Sequence, residues 1–241
     1  MFLLNLYQTY FTMPTCQHCE VRSFSPFQEL TSQELEQVQR HRLSQQFNKG
    51  DVLFEEGNAL NGVFGIRSGV CKLMKLGANG RYQIIKLATS GDMIGQRSLV
   101  CDERTNLKAI ALNSVRACFI PKAKFKAWLM TNSKLSFCML KFVASDLKKA
   151  DDNLMKMAQK PLKQRLSELL LYNQTQFGVD EEGFLNINFS RKDYANLVGT
   201  STESTIRMLS NFNKAKWIQI KGKQIKILNP LTLKNNSGTQ F

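Results

Sequence analysis

Two side chains in the carboxyl-terminal part of the chain, Glu203 and Arg207, have the types and the spacing to recognise nucleotide bases. They stand four residues apart, so both lie on one face if the segment is helical. A carboxylate can accept a hydrogen bond from cytosine N4, and a guanidinium can donate two parallel bonds to guanine O6 and N7. The simpler alternative is an ion pair that stabilises a helix, with Glu203 favoured by the dipole at the helix N-terminus.

The elements that would position this pair are predicted between residues 190 and 228. Ser190 can cap a first short helix, and Gly199 can end it because glycine adopts a positive φ. Ser201 can cap a second helix. The residues expected to face inward are Tyr194, Leu197 and Val198 in the first helix and Ile206 and Leu209 in the second. Two helices joined by about four residues form a helix-turn-helix, whose second helix lies in the DNA major groove.

A short hairpin, or wing, is predicted after the second helix, with strands at residues 217–220 and 224–227 and a basic turn between them. The chain has 33 Lys and Arg against 19 Asp and Glu, a net charge of +14. A basic excess around a reading helix is typical of a protein that binds the phosphate backbone, although charged runs are also typical of plain solvated surfaces. The candidate phosphate contacts are Ser190, Arg191, Lys192, Ser201, Lys221 and Lys223.

The middle of the chain, from about residue 47 to residue 125, is rich in short strand-like runs separated by glycines. Many short strands with glycine turns are typical of a jelly roll or barrel. The phrase KGDVLF at residues 49–54 returns loosely as SGDMIG at residues 90–95, which suggests two similar halves of a β-roll. A roll followed by helices predicts an α+β fold.

One long helix is predicted from about residue 133 to residue 159, before Pro161. Its apolar residues follow a 3-4-3-4 spacing over more than two heptads, which favours a dimer seam. The alternative is an amphipathic helix that packs on its own domain. The predicted seam residues are Leu140, Val143, Leu147, Ala150, Leu154 and Met157. A two-fold dimer would present two reading helices to half-sites about one DNA turn apart.

Several classes of protein are not expected. No apolar run approaches the length of a transmembrane helix, and the apolar N-terminus lacks the basic leader and cleavage site of a signal peptide. Six sparse cysteines in a long chain indicate a cytoplasmic protein with reduced thiols. Only two histidines are present, neither in the roll, so an enzyme with a site in the roll is a remote alternative.

The order of roll, long helix, helix-turn-helix and wing resembles the CRP/FNR family of bacterial transcription regulators. Three phrases support it: IRSGVCK at residues 66–72, SGDMIG at 90–95 and CFIP at 118–121. The resemblance runs from about residue 16 to residue 228. It implies a cyclic-nucleotide-binding-like β-roll at residues 1–132, a dimerisation helix at 133–159, a winged helix-turn-helix at 160–233 and a tail at 234–241.

The resemblance also implies roles for individual residues and partners. Glu203 and Arg207 occupy the base-reading positions of the family's second helix. Thr202 stands where the cyclic-AMP branch has Arg and the FNR branch an apolar residue, and its methyl can meet a thymine methyl. This favours a half-site of the TTGA kind. The implied partners are double-stranded DNA, a second copy of the chain and RNA polymerase, with no membrane.

Cyclic AMP is not the expected ligand. The cyclic-AMP branch places Glu after the glycine of its ligand loop and an Arg-Ser or Arg-Thr pair on the phosphate. Here Gly95 is followed by Gln96, which lacks the charge-assisted strength of a carboxylate. Arg104 and Thr105 resemble the phosphate pair, but the loop is shorter than the family pattern.

The FNR branch instead binds an iron–sulfur cluster with N-terminal cysteines and one distant cysteine. Cys16, Cys19 and Cys118 match three ligand positions, whereas the fourth is Ser25, a poor soft-metal ligand. His18 or Cys101 are other candidates for a fourth bond. The chain thus resembles the FNR branch more than the cyclic-AMP branch.

The role of the cysteines stays open at this point. Without the resemblance, Cys-x-x-Cys is equally a zinc half-site, a redox pair or two unconnected thiols. Cys71 and Cys138 are expected in the core, because free cysteine is among the most buried residue types. Three alternatives therefore stay open: the signal acts on a cluster, it acts by a reaction of the thiols, or there is no signal. In the third case the roll binds no ligand and the activity of the protein depends on its abundance.

Overall fold

A computed structural model describes Cys16, Cys19 and residues 21–238 of the chain. The helices are α1 (Ser32–His41), α2 (Gln96–Val100), α3 (Lys122–Thr131), α4 (Ser133–Gln159), α5 (Leu162–Phe177), α6 (Arg191–Val198), α7 (Thr202–Lys214) and α8 (Pro230–Ser237). The strands are β1 (Leu43–Phe47), β2 (Val52–Phe54), β3 (Gly62–Ser68), β4 (Cys71–Leu76), β5 (Tyr82–Ala88), β6 (Met93–Ile94), β7 (Lys108–Ala111), β8 (Val115–Pro121), β9 (Ile218–Lys221) and β10 (Gln224–Ile227). The α+β fold is confirmed.

Strands β1 to β8 form the predicted roll from two antiparallel four-stranded sheets, in the orders β1-β8-β3-β6 and β2-β7-β4-β5. The two similar phrases make the same turn. The Asp51 carboxylate accepts from the amide of Asn48 at 2.7 Å, and the Asp92 carboxylate accepts from the amide of Thr89 at 2.8 Å. Each turn leads directly into a strand, so the two similar phrases lie at equivalent places in the two halves of the roll.

Aromatic side chains fill the interior of the roll. The Phe64 ring lies 5.1 Å from the Phe119 ring, 6.0 Å from Phe54 and 6.2 Å from Phe47, centroid to centroid. These distances are typical of packed aromatic pairs. Small residues and Cys71 complete the same core. Both Cys71 and Cys138 are buried, as predicted.

The long helix α4 has the predicted bounds. Asn132 caps it, since its side-chain oxygen accepts from the amide of Leu135 at 2.9 Å. The helix ends just before Pro161, which cannot continue a helix because its ring clashes with the preceding turn. One face of its first turns is buried against α3 and the roll, and the remainder extends towards the carboxyl-terminal domain.

The carboxyl-terminal domain packs against the roll of the same chain. Val70 and Leu112 from the roll share one apolar cluster with Leu166 and Tyr194. Two polar contacts accompany this cluster. The Lys72 ammonium lies 2.5 Å from the Asp193 carboxylate, and the Gln83 side chain donates to the Asn196 carbonyl.

Candidate nucleic-acid interface and cysteine pocket

Helix α6 is the predicted first helix of the motif, and the predicted residues stand at both of its ends. The Ser190 hydroxyl accepts from the amide of Asp193 at 3.0 Å, and the Asp193 carboxylate accepts from the amide of Ser190 at 3.1 Å. Gly199 ends the helix with φ +66°, and an added Cβ there would lie 2.7 Å from the Met157 sulfur. The positive φ favours glycine here, and any added side chain would also displace the Met157 thioether.

Helix α7 is the predicted reading helix, capped by Ser201, whose hydroxyl accepts from the amide of Ser204 at 3.1 Å. Glu203 and Arg207 are both exposed on its outer face, and Thr202 is half-buried. Backbone and Ser201 hydrogen bonds hold the pKa of Glu203 below its ordinary value, and Arg81 of the roll adds a smaller effect. Glu203 thus stays ionised and supports its own helix.

The prediction that Ile206 faces inward is wrong. Leu209 is buried, whereas Ile206 is 49% exposed between Glu203 and Arg207. It stands three residues from Glu203, so it shares the outer face of the helix. An exposed apolar side chain on a reading face can contact a thymine methyl. Sequence reasoning missed Ile206 because its spacing fits the inner and the outer edge of the helix equally well.

The candidate phosphate contacts fall into two groups. Lys192, Lys221 and Lys223 are exposed, as phosphate contact requires. The hydroxyls of Ser190 and Ser201 already form helix caps. Arg191 donates to the Gly222 carbonyl at 2.9 Å and so braces the wing turn against α6.

Asp193 stabilises both the helix-turn-helix and its contact with the roll, and this yields a first prediction. Burial opposes ionisation of Asp193, but hydrogen bonds from Lys72 and Ser190 outweigh it and hold the pKa below its ordinary value. A carboxylate with a lowered pKa stabilises the fold above its unfolded pKa, and that stability is lost as the pH falls through the folded pKa. Asp193→Ala should lower the free energy of unfolding by roughly 1–2 kcal/mol at neutral pH.

Urea unfolding of wild type and Asp193→Ala between pH 7 and pH 2.5 measures this effect. The difference between them should shrink as the pH drops below about 4. Asp152→Ala removes an exposed carboxylate from α4 and should match wild type throughout. A pH-independent difference for Asp193→Ala would show that its charge does not contribute.

The predicted seam residues lie on an uncovered face of α4. Exposed fractions rise from 47% for Val143 to 63% for Leu140 and Leu147 and 69% for Leu154, and Ala150 is exposed too. Phe137 and Met155, which the heptad spacing did not predict, are also exposed, at 57% and 50%.

Met157 departs from this face. Its sulfur accepts from the Arg165 guanidinium at 3.2 Å and contacts Gly199 in the turn between α6 and α7. It is therefore half-buried against the carboxyl-terminal domain of its own chain, two residues before the end of α4, whereas the other predicted seam residues are exposed.

The three cysteines with matching positions line one pocket, together with Ser25. Cys118 lies on β8, and Cys16 and Cys19 precede α1. Arg42 links two of them: its guanidinium donates to the Cys118 sulfur at 3.3 Å and to Gln39 Oε1 at 3.0 Å, and Gln39 Oε1 also accepts from the amide of Cys16 at 2.8 Å. The rest of the lining is largely apolar and includes Val21, Pro26, Phe27, Leu35, Val38, Ile66, Met93 and Ile120.

Burial controls the acidity of these thiols. It raises the pKa of Cys16, with Arg42 opposing and the neighbouring Cys118 adding to the rise. Burial also raises the pKa of Cys118, against the opposing charges of Arg42 and Arg67. Both thiols are therefore protonated and weakly nucleophilic near neutral pH.

The pocket fits an iron–sulfur cluster only in part. Three cysteines supply the soft ligands that such a cluster uses. Ser25 does not extend this set, because its hydroxyl donates to the Arg22 carbonyl at 2.9 Å and accepts from the amide of Phe27. Among the described residues, no three Cys, His, Asp or Glu side chains stand ready to hold a metal ion. Cys101 is exposed and does not line the pocket, and His18 lies outside the described residues.

The predicted effector loop does not form an open anion site. Arg104 is exposed and donates to the Gly57 carbonyl at 3.0 Å, whereas Thr105 is buried and its hydroxyl donates to the Leu107 carbonyl. Gly95 has φ +88° and begins α2, and Gln96 is buried. Both residues that resemble the phosphate pair thus donate to backbone carbonyls of their own chain.

Comparisons with known proteins agree with this architecture. A family model described as cyclic nucleotide-binding domain matches residues 44–132, and one described as Crp-like helix-turn-helix domain matches residues 164–235. The fumarate and nitrate reduction regulatory protein of Vibrio cholerae is 28% identical over 229 residues, 92% of this chain and 90% of that protein. The CRP-like cAMP-activated global transcriptional regulator of Mycobacterium tuberculosis is 26% identical, over 75% of this chain and 82% of that protein.

Solved structures share the whole fold. A putative transcriptional regulator of the crp/fnr family from Eubacterium rectale superposes with a TM-score of 0.77 at 17% identity, covering 90% of this chain and all of that one. No helix in the described part of the chain is both long and apolar enough to cross a membrane. Two matched domains in the family's order and relatives along nearly the whole length lead to one conclusion: the chain belongs to the CRP/FNR family of transcription regulators, which are not enzymes.

Proposed function

We propose that this protein is a dimeric, sequence-specific transcription regulator whose DNA affinity is switched at the cysteine pocket, as in the FNR branch of its family. One observation carries the proposal: Cys16, Cys19 and Cys118, far apart in sequence, line one pocket beside Arg42. We expect such a regulator to act in the cytoplasm, with DNA and RNA polymerase as its partners.

The uncovered face of α4 supports the dimer. Monomers rarely expose a continuous apolar stripe along a helix, and this stripe continues for four turns from Leu140 to Leu154. A second copy of α4 is the occupant that matches it, because heptad spacing fits an identical helix. Two-fold symmetry then aims two α7 helices at inverted half-sites.

The outer face of α7 supports base reading by three side chains. Glu203, Ile206 and Arg207 are exposed together near the N-terminal end of the helix, the end that contacts base edges in this motif. Glu203 and Arg207 match cytosine and guanine, and Ile206 offers an apolar contact to thymine beside the predicted one from the half-buried Thr202. A half-site of the TTGA kind presents these bases on its two strands.

The number of thiols in the pocket supports a metal-based signal, because three cysteines line it together and thiolates are the ligands of iron–sulfur clusters. Metal binding deprotonates a coordinating thiol outright. A bound iron–sulfur cluster would supply oxygen-sensitive chemistry, held by Cys16, Cys19 and Cys118. Arg42 would donate to the Cys118 sulfur and stabilise its negative charge.

The interior of the roll argues against a cyclic-nucleotide signal. Phe54 and Phe64 are buried and stack within the space between the sheets, and Arg104 is bound to a backbone carbonyl. A roll without any ligand remains the second candidate, because this filled interior needs no ligand to be stable.

The cluster proposal gives a second prediction. Protein purified without oxygen should be brown and contain iron and acid-labile sulfide. Cys118→Ala should lose most of that iron because it removes one of three thiolates. Exposure of wild type to air should then weaken binding to a duplex with two inverted TTGA half-sites.

Two further variants sharpen this test. Cys138→Ala removes a buried thiol outside the pocket, so its iron content should equal that of wild type. Ser25→Cys should slow loss of the cluster in air, since a fourth thiolate replaces a hydroxyl. Colourless anaerobic protein that cannot be reconstituted with iron and sulfide, and yet binds the duplex tightly, would favour the ligand-free roll.

A further inference from the structure

One lysine of the roll, Lys86, joins two other segments through its ammonium. It lies on β5, and its Nζ is 2.9 Å from an Asp92 oxygen and 2.7 Å from an Asp146 oxygen. Asp92 stands just before β6, whereas Asp146 lies on α4. The three side chains are between 14% and 24% exposed, so salt screens these pairs less than it screens surface pairs.

The surroundings of Lys86 reach a third segment. The Phe142 ring, one turn before Asp146 on α4, lies 5.3 Å from Nζ, within cation–π range. Burial raises the pKa of Tyr172 on α5, Asp92 raises it further and Lys86 opposes both, so Tyr172 lies near the same charges. The roll and the long helix therefore meet around one ammonium, and Tyr172 of α5 lies within the electrostatic influence of the same charges.

The charge on Lys86 is secure despite its burial. Burial alone would lower the pKa of Lys86, but Asp92 and Asp146 outweigh it and hold the pKa above its ordinary value. Removing one partner of such a pair is costly, because the remaining charge stays partly desolvated. The position of α4 against the roll thus depends on the Lys86–Asp146 pair.

Asp92 also belongs to the wall of the cysteine pocket, with its neighbours Gly91 and Met93. Its other carboxylate oxygen accepts from the amide of Thr89 at 2.8 Å, which holds the carboxylate at the base of this turn. Asp92 is therefore the residue shared by the pocket wall and the Lys86 cluster. Because Asp92 and Asp146 share one ammonium, a shift of Asp92 changes the attraction that Asp146 receives.

We propose that Lys86 couples the cysteine pocket to α4, so that the state of the pocket sets how firmly the long helix is held against the roll. Its regulatory meaning rests on the switch proposed above, but the coupling itself needs neither a cluster nor a dimer. Coupling between two sites is reciprocal. A change made on the helix should therefore be detectable in the pocket.

The test changes Asp146 and measures the pocket thiols in the full-length protein, reduced and free of iron. Asp146→Asn removes the helix-side charge with little change of shape and leaves Asp92 on Lys86. The alkylation rates of Cys16 and Cys118 by iodoacetamide, resolved by peptide mass spectrometry, should change by about 2- to 30-fold, the range of coupling mutations. Cys101, which is exposed and outside the pocket, serves as the internal reference.

A matched variant and a rescue complete the design. Asp152→Asn removes the same charge from an exposed position on the same helix, so all three rates should equal those of wild type. Lys86→Met should change the alkylation rates of Cys16 and Cys118 in the same direction as Asp146→Asn. Lys86→Arg keeps the positive charge and should leave these rates at their wild-type values. Circular dichroism verifies that each variant is folded, and Lys86→Met decides the matter if Asp146→Asn is not.

The outcomes separate this coupling from the proposed switch. Pocket rates in Asp146→Asn and Lys86→Met equal to wild type would overturn the coupling, whatever the DNA affinity. Changed rates in a protein that binds no iron would support the coupling and count against the cluster as its signal.

Discussion

Leu147→Asp should convert the protein to a monomer and lower its affinity for a duplex with two inverted TTGA half-sites by about 10²- to 10⁴-fold, the gain that bivalent engagement gives. Leu147 is 63% exposed in the middle of the apolar face of α4. A symmetric partner would bury two introduced carboxylates against each other without counter-charges, which is strongly unfavourable.

Light scattering and a titration of the labelled duplex measure the two effects. Ser145→Asp places the same carboxylate two residues away, at an exposed position off the seam, and should remain dimeric with normal affinity. A duplex with a single half-site should bind Leu147→Asp and wild-type protomers alike. A Leu147→Asp protein that stays dimeric would show that this face of α4 is not the interface.

The fold follows from the sequence where local chemistry and spacing agree. Ser190 and Gly199 predict the two ends of α6, because few residue types favour the N-cap position or a positive φ. Heptad spacing before Pro161 predicts α4 with its observed bounds. Repeated turns such as the one at Asp92 predict the halves of the roll, since the same hydrogen bond closes both.

The site is less predictable, because it depends on packing between distant segments. Ile206 was assigned to the core from spacing, but neighbouring Leu209 fills the core and leaves Ile206 exposed. Met157 fits the heptad, yet the turn at Gly199 approaches α4 there and covers part of its side chain. The ion pairs of Lys86 are not predictable from the sequence, since its partners stand 6 and 60 residues away.

The reading helix gives the final prediction, which separates base recognition from phosphate binding. Arg207 is exposed on the outer face of α7, one turn after Glu203. If it forms two bonds to one guanine, Arg207→Ala should cost about 1–3 kcal/mol on the TTGA duplex and little on a scrambled duplex. That corresponds to about 5- to 150-fold in affinity for the specific site alone.

Lys223→Ala is the matched comparison, because Lys223 is an exposed cation in the wing turn, off the reading helix. Its loss should weaken binding to both duplexes equally. It should also make the plot of log affinity against log salt concentration less steep, by about one released counterion. Ile206→Ala should instead reduce the preference for thymine over cytosine in the half-site without changing the salt slope. The contrary result is that Arg207→Ala weakens binding to both duplexes equally and reduces the salt slope as Lys223→Ala does. Arg207 would then contact phosphate rather than a base, and Glu203 would serve only its own helix.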